Sequence, residues 1–532
     1  MFFRRPFWFQ TSIILMASTK ILWVDDEIEL LRPHILFLEK KGYQVATATN
    51  ADDALDKVER EPFDIIFLDE NMPGLTGLEA LSHFKRLAPT IPIVMVTKSE
   101  EEDIMDRAVG AKISDYLIKP VNPSQILISI KKHVHEHELV SVGTTSAYQT
   151  NYLQIGDRIN SAATWEDWQS IHLQLSEWRL SLLSANAPEM LELHAQLQQQ
   201  ANVAFSKYIR RNYASWFKDL GSGPVTSPRV VREYLLPYLD AGEKVLLLVI
   251  DNLRFDQWRM LRELLSTAWR VEQERTYYSI LPTVTHYARN SLFAGLMPLE
   301  ISQLLPELWV GEQDEEGKNI YEPELLKRNL QRMGRNYTMQ YYKGATLDGT
   351  PLKEGDFQQL LETDLTVVVY NFIDMLSHAR HDMQIMKQLA NDAHAYLSLT
   401  QSWFKHSDLF VFLQKLSNYP VRLLITTDHG SIQVKKAIKV VGDRETSTNM
   451  RYKLGKSLSY NDREVFACIN PAEVHLPQSS MSARYIFATA NDYLIYPNNF
   501  NNYARMFKDS FQHGGVSLEE MIVPFVSLRA QH

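Results

Sequence analysis

Short apolar runs that stop on a carboxylate recur along this chain, and they restrict its fold more than any other feature. "KILWVDD" (20–26), "FDIIFLDE" (63–70), "EKVLLLVID" (243–251), "DLTVVVYNFID" (364–374) and "LLITTDHGS" (423–431) each read as a strand, with stretches of helical period between them. Strands apolar on both faces belong to parallel sheets covered by helices. Open α/β sheets bind their ligands beyond the carboxyl ends of such strands, where these acids fall. The pattern therefore predicts α/β architecture with its chemistry gathered at strand ends.

The 532 residues exceed what one core holds, so about three domains are expected. A net charge of −9, with no basic stripe and no helix-turn-helix pattern, argues against duplex DNA or an anionic membrane surface as partner. The single cysteine, Cys468, excludes an internal disulfide and fits a reducing, cytoplasmic setting. The opening "MFFRRPFWFQTSIILM" pairs arginines with an apolar stretch too short to insert in a membrane as a spanning helix, and the first strand follows with no room for a cleavage region. Residues 1–15 are expected to be an upstream extension, with Met16 as the initiator.

In the expected first domain, residues 16–137, polar residues stand where successive strands end: Asp25 and Asp26, then Asp69, Thr97 and Lys119. In a doubly wound sheet those ends converge on one edge. Clustered carboxylates favour a hard cation such as Mg²⁺, which leaves room for a phosphate. Asp69 then suits attack on a phosphoryl donor, with the Lys119 ammonium and Thr97 hydroxyl holding the phosphate oxygens. This set, with "LDENMPGLTG" (68–77), resembles a response-regulator receiver domain. The resemblance implies Asp69 as phosphoacceptor and Asp25, Asp26, Asp69 and the Asn71 backbone carbonyl around one magnesium ion. It further implies Tyr116 as a switch aromatic, a cis Lys119–Pro120 bond and a sensor histidine kinase as partner.

Residues 138–225 are expected to be a helical connector. "SVGTTSAYQTNYLQIGD" (141–157) reads as a turn-rich link. After it, Trp165, Trp168, His172, Leu175, Trp178 and Leu182 recur at helical spacing, as a buried bundle face does. A base-stacking role is disfavoured by that regularity and by the scarcity of basic residues. "GSGPVTSP" (221–228) marks the boundary before the last domain, 226–532.

There, Asp251, Asp374, His378, Asp428, His429 and His513 supply carboxylates and imidazoles for two divalent ions without a thiolate, zinc being expected and manganese the alternative. Thr285, in "SILPTVTHYARNS" (279–291), is the candidate nucleophile, because zinc lowers the pKa of bound water from about 15.7 to roughly 7 and acts on a hydroxyl in the same sense. "VIDNLR", "LPTVTH", "NFIDMLSH", "TTDHGS" and "HGGVSLEEMIVP", in this order, resemble the PglZ-like branch of the alkaline-phosphatase superfamily. That resemblance implies one metal held by Asp251, Thr285, Asp428 and His429, and another by Asp374, His378 and His513. Nucleotide pyrophosphatase relatives carry a phosphoryl-contacting asparagine three residues beyond the nucleophile. Here that place is Ala288, and Arg289 and Asn290 are the candidate substitutes.

Receiver, helical connector and phosphatase-like domain in this order are similar to the PorX response regulators associated with type IX secretion. The resemblance implies a zinc-dependent phosphodiesterase acting on linear or cyclic oligonucleotides under the control of Asp69 phosphorylation. Phosphorylation is expected to favour a homodimer. The alternative is a phosphorylation-gated adaptor whose phosphatase-like domain binds a sigma factor or secretion component.

Overall fold

The computed structural model describes residues 19–88, 91–98, 113–134, 136–218, 223–312, 317–344, 357–376, 393–478 and 480–531. Residues 1–18, with Met16, and His378 lie outside these. The chain divides into two compact units, Met1–Thr144 and Thr145–His532.

The first unit is a parallel sheet of β1 (Lys20–Val24), β2 (Gln44–Ala48), β3 (Ile65–Asp69), β4 (Ile93–Thr97) and β5 (Asp115–Ile118), in the order β2-β1-β3-β4-β5. Alternation sends Leu22, Val24, Ile66 and Leu68 to one face, against the helices Ala51–Arg60 and Gly77–Leu87. Ile21, Trp23, Ile65 and Phe67 meet Arg32–Lys40 and Pro123–His133 on the other. A Cβ on Gly77 would lie 2.3 Å from the Asp69 carbonyl, so glycine is what lets its helix start directly behind the end of β3.

The second unit is built on β6 (Lys244–Ile250), β7 (Trp269–Tyr278), β8 (Met339–Gly344), β9 (Leu365–Tyr370), β10 (Val421–Thr426) and a C-terminal strand Ile522–Ala530 that lies between β7 and β10. β10, β6, β9 and β8 run parallel, and the ends of the three central strands are level, Val249 pairing Thr426 and Ile250 pairing Tyr370. Leu246, Leu248 and Ile250 face one core, Val245, Leu247 and Val249 the other, as runs apolar on both faces require.

The expected turn-rich link at 141–157 is a correction: a helix covers Glu136–Ser161. Tyr148, Ile155 and Ile159 are buried and Tyr152 partly so, a stripe spaced by four, three and four residues that the surrounding Ser, Thr and Gly conceal in the sequence. The tryptophan-bearing helix, Trp165–Ser184, buries Trp168, His172, Leu175 and Leu182 as the spacing indicated. Its core is shared: Trp168 and Phe205 cluster with Tyr278, Leu281 and Met521 next to the large sheet. Among the described residues no helix is long and apolar enough to cross a membrane.

Candidate metal centre and phosphoacceptor site

In the first unit the strand ends gather the expected side chains. The Lys119 ammonium lies 2.8 Å from Asp25 Oδ2 and 3.1 Å from Asp69 Oδ1. Burial works against that ammonium, but the two carboxylates hold its pKa above the ordinary value. Burial, then the charge of Asp25, raises the Asp69 pKa despite Lys119. Asp25, Asp26 and Asp69 each offer an oxygen within 4.8 Å of the others. Asp26 and Asn71 are exposed, so a hard cation here keeps water ligands, as Mg²⁺ prefers. Tyr116 lies on β5, where Thr97 hydrogen-bonds its hydroxyl, and the Lys119–Pro120 bond is cis. Thr97 Oγ1 also donates to Glu70 Oε2 at 2.5 Å, a partner that stands inside "LDENMPGLTG" but was given no role in the reading from sequence.

In the second unit Asp251 stands one residue beyond β6, and Asp428 and His429 just beyond β10. Thr427 shapes that exit: its hydroxyl donates to the His429 carbonyl at 2.8 Å and accepts from the Leu253 N–H at 3.1 Å. A Cβ on Gly430 would be 2.0 Å from the Glu519 carbonyl, which accounts for the glycine that follows Asp-His. Thr285 opens the helix Thr285–Ala294, whose N-terminal dipole favours an anion. Its Oγ1 lies 3.2 Å from His429 Nε2 and 3.5 Å from Asp251 Oδ1.

Two observations show that this donor set fits a divalent cation. Asp428 Oδ2 is fully buried without a hydrogen bond, with the Arg289 guanidinium Nη1 and the His429 imidazole Nε2 each 3.7 Å away. An orphaned carboxylate oxygen in an apolar interior is costly unless a cation meets it. His429 Nδ1 lies 3.2 Å from the Gly430 carbonyl, so Nδ1 carries the proton and Nε2 turns its lone pair toward Thr285 and Asp251. Burial drives the His429 pKa down to about 4, keeping the imidazole neutral as a ligand must be. Burial and then Asp428 push the Asp251 pKa well up, while His429 and Arg289 hold Asp428 below its ordinary value although burial opposes them. The pair cannot both ionise without more positive charge than the protein supplies.

Beside this group, the His513 ring stacks on His429 with centroids 4.3 Å apart. His513 Nε2 faces Asp374 Oδ1 at 3.4 Å, and the Asn252 amide donates to the same oxygen at 3.3 Å. Burial opposes the charged imidazolium, yet Asp374 raises its pKa to about 9, so a metal here would displace a proton. His378, expected with these two, falls outside the described residues.

Arg289 and Asn290 are committed within the protein. Arg289 is buried, 2.9 Å from Asp251 Oδ2 and 2.7 Å from Glu322 Oε1. Asn290 donates to the Lys318 carbonyl at 3.0 Å and accepts from Asn319, which also donates to the Thr285 carbonyl at 3.1 Å. The reading from sequence missed Glu322, Asn319 and Asn252. Only Asn252 carried a signal, its place inside "VIDNLR".

Three family models match the chain in succession: the response regulator receiver domain at residues 21–131, the PorX response regulator linker domain at 138–217, and the BREX system PglZ alkaline phosphatase-like domain at 230–528. Among curated proteins, the alginate biosynthesis transcriptional regulatory protein AlgB of Pseudomonas putida is 37% identical over 120 residues, 23% of this chain and 27% of that protein. The transcriptional regulatory protein ResD of Bacillus subtilis is 35% identical over 114 residues, 21% of this chain and 47% of that protein. The chain thus spans about a quarter to a half of the length of these relatives. Among solved structures, a CheY-like receiver domain protein from Methanospirillum hungatei JF-1 is 32% identical and is matched over 23% of this chain and 96% of its own, with a TM-score of 0.22.

Proposed function

As the chain belongs to the PorX-type response regulators, with a receiver domain, a linker domain and a PglZ alkaline phosphatase-like domain, we propose that it is a cytoplasmic, phosphorylation-controlled phosphodiesterase acting on linear or cyclic oligonucleotides. The observation that supports this most is the Thr285 hydroxyl placed 3.2 Å from the lone-pair nitrogen of His429 and 3.5 Å from Asp251, beside the orphaned oxygen of Asp428. Asp251, Thr285, Asp428 and His429 would hold one zinc ion, and Asp374 and His513, with His378, a second. Zinc, when bound, supplies the positive charge that acidifies a hydroxyl and offsets the charge of a phosphoryl group.

Thr285 Oγ then attacks phosphorus in line, forming a phosphothreonine diester bond as the bond to the leaving oxygen breaks. That oxygen departs with a proton, and water attacking the same phosphorus from the opposite side restores the hydroxyl. The dipole of the Thr285–Ala294 helix offsets negative charge on the phosphoryl oxygens throughout. Arg289, anchored by Glu322, fixes the Asp251 carboxylate, and with Arg289 and Asn290 both engaged inside the protein neither takes the place of the absent phosphoryl-contacting asparagine.

On this reading a sensor histidine kinase supplies the phosphoryl group to Asp69, with Mg²⁺ held by Asp25, Asp26, Asp69 and the Asn71 carbonyl. Lys119, Thr97 and Tyr116 register the modification, which favours a homodimer, and the output serves type IX secretion. Zinc analysis together with hydrolysis of bis(p-nitrophenyl) phosphate tests the catalytic half. A zinc-replete protein that turns over no phosphodiester leaves the adaptor reading, with a sigma factor or secretion component bound by the same domain.

A further inference from the structure

A cleft holding about 370 Å³ in the second unit is lined among others by Tyr287, Trp309, Glu312, Leu454 and Tyr485. That volume falls within the roughly 300–1,000 Å³ of small-molecule sites. Its wall begins on the helix that Thr285 opens: His286 stacks on the Trp309 indole with centroids 4.9 Å apart, and Tyr287 meets the same indole edge-on at 5.7 Å. Tyr452 joins the two places. Its ring lies 2.9 Å from where a Cβ on Gly514 would stand, next to His513, and its hydroxyl donates to Glu312 Oε1 at 2.9 Å inside the cleft. The buried Tyr452 side chain thus reaches from the backbone beside His513 to Glu312, while Tyr287 of the cleft wall stands two residues along the helix from Thr285.

The lining suits a flat, amino-bearing ring. Trp309 lines the cleft and is only partly buried, and stacking of a base on an aromatic side chain contributes about 1–3 kcal/mol. Glu312 stays ionised below the ordinary carboxylate range, since His286 and Lys318 outweigh its burial. Glu445 adds a second carboxylate, with Lys456 2.6 Å from it. Each carboxylate has a lysine partner, Lys318 for Glu312 and Lys456 for Glu445, and retains lone pairs that accept hydrogen bonds from an exocyclic amino group.

We propose that this cleft is the nucleobase subsite of the phosphodiesterase, with Trp309 stacking the base and Glu312 accepting from its amino edge. The proposal rests on the oligonucleotide reading above and adds to it a preference for amino-bearing bases.

The test compares the zinc-replete full chain on the dinucleotide pApA, on the same dinucleotide with abasic sites in place of both adenines, and on pUpU. The wild type should prefer pApA to the abasic analogue at least tenfold in kcat/KM. Trp309→Ala should reduce that ratio about tenfold, mainly through KM, while Trp309→Phe, which keeps a ring to stack, retains most of it. Glu312→Gln should narrow the preference for pApA over pUpU. No preference in the wild type, or an unchanged ratio in both Trp309→Ala and Glu312→Gln, would overturn the subsite. Should Trp309→Ala fail to fold, as loss of zinc and a lowered melting temperature would reveal, Glu312→Gln decides alone. If the wild type hydrolyses none of the three, the phosphodiesterase reading fails and calorimetric titration with adenosine 5′-monophosphate judges the cleft. A tenfold weaker titration in Glu312→Gln supports it, and equal or absent binding overturns it.

Discussion

Both units end parallel strands in carboxylates, and they balance the resulting charge in opposite ways. In the receiver, Asp25 and Asp69 share the ammonium of Lys119, on a long flexible chain, and Asp26 stays in water. In the output unit Asp251, Asp428 and His429 are buried, and the cation in their midst, Arg289, is itself buried and fixed by Glu322. A counter-charge on a lysine stem, with one acid of the pair in water, suits a site whose charge must change, as a phosphoacceptor's does. A buried counter-charge short of full neutralisation suits a resident divalent ion. Burial lowers the pKa of His429 while the Asp374 carboxylate raises that of His513, so the two stacked imidazoles stand in opposite protonation states at neutral pH.

If that contrast is right, the largest effect comes from the side chain that the buried site presents. Thr285→Ala should lower hydrolysis of bis(p-nitrophenyl) phosphate by about 10³-fold or more while the protein keeps its fold and most of its zinc. Activity near wild type would assign the nucleophile elsewhere. Next is the counter-charge itself. Glu322→Gln removes one partner of a buried ion pair, which should cost about 3–5 kcal/mol of stability in the second unit and weaken zinc binding about 10–100-fold through Arg289. Denaturant titration and competition with a chelator measure the two separately. A variant with wild-type zinc affinity would show that Arg289 does not position Asp251.

The sequence carried much of this contrast, for a physical reason. A strand buried on both faces must be apolar throughout, so a carboxylate that ends one is conspicuous, and Asp25, Asp69, Asp251 and Asp428 could all be read that way. Glu322 and Asn319 could not. They reach Arg289 and Asn290 through folding alone, from a turn and the first residue of the helix Glu322–Arg332, more than twenty residues along the chain, whose apolar period marks Leu325, Leu326 and Leu330 but not the acid that opens it. The helix Glu136–Ser161 was hidden differently: its buried stripe is carried by tyrosines and isoleucines set among Ser, Thr and Gly, whose local preferences are those of turns.

Receiver control should be smaller in scale, since coupling between sites is typically about 1–3 kcal/mol. Beryllofluoride, standing in for the phosphoryl group on Asp69, should shift the monomer–dimer equilibrium about five- to hundredfold toward dimer in sedimentation, and Asp69→Ala should abolish the shift. An identical balance in every sample would remove phosphorylation-driven pairing, which is expected on the commonest closed symmetry, a two-fold. It would leave the proposed zinc chemistry untouched.

The smallest expected effect is the one that probes the receiver's own balance most closely. Thr97 donates to Glu70 at 2.5 Å, so its hydroxyl must give up that partner to reach a phosphoryl group on Asp69. A hydrogen bond to a charged group is worth about 1.5–3 kcal/mol, and part of this is regained when Thr97 bonds the phosphoryl oxygens. Glu70→Ala removes the competing acceptor only from the unmodified state, and it takes a negative charge away from the place where the phosphoryl group adds more. Both changes favour the modified state. Half-maximal dimerisation should therefore need about two- to tenfold less beryllofluoride in Glu70→Ala than in the wild type, with zinc content unchanged because the substitution lies in the other unit. A requirement equal to or greater than that of the wild type would mean that Glu70 does not restrain Thr97, and that the receiver's response rests on Lys119 and the acidic pair.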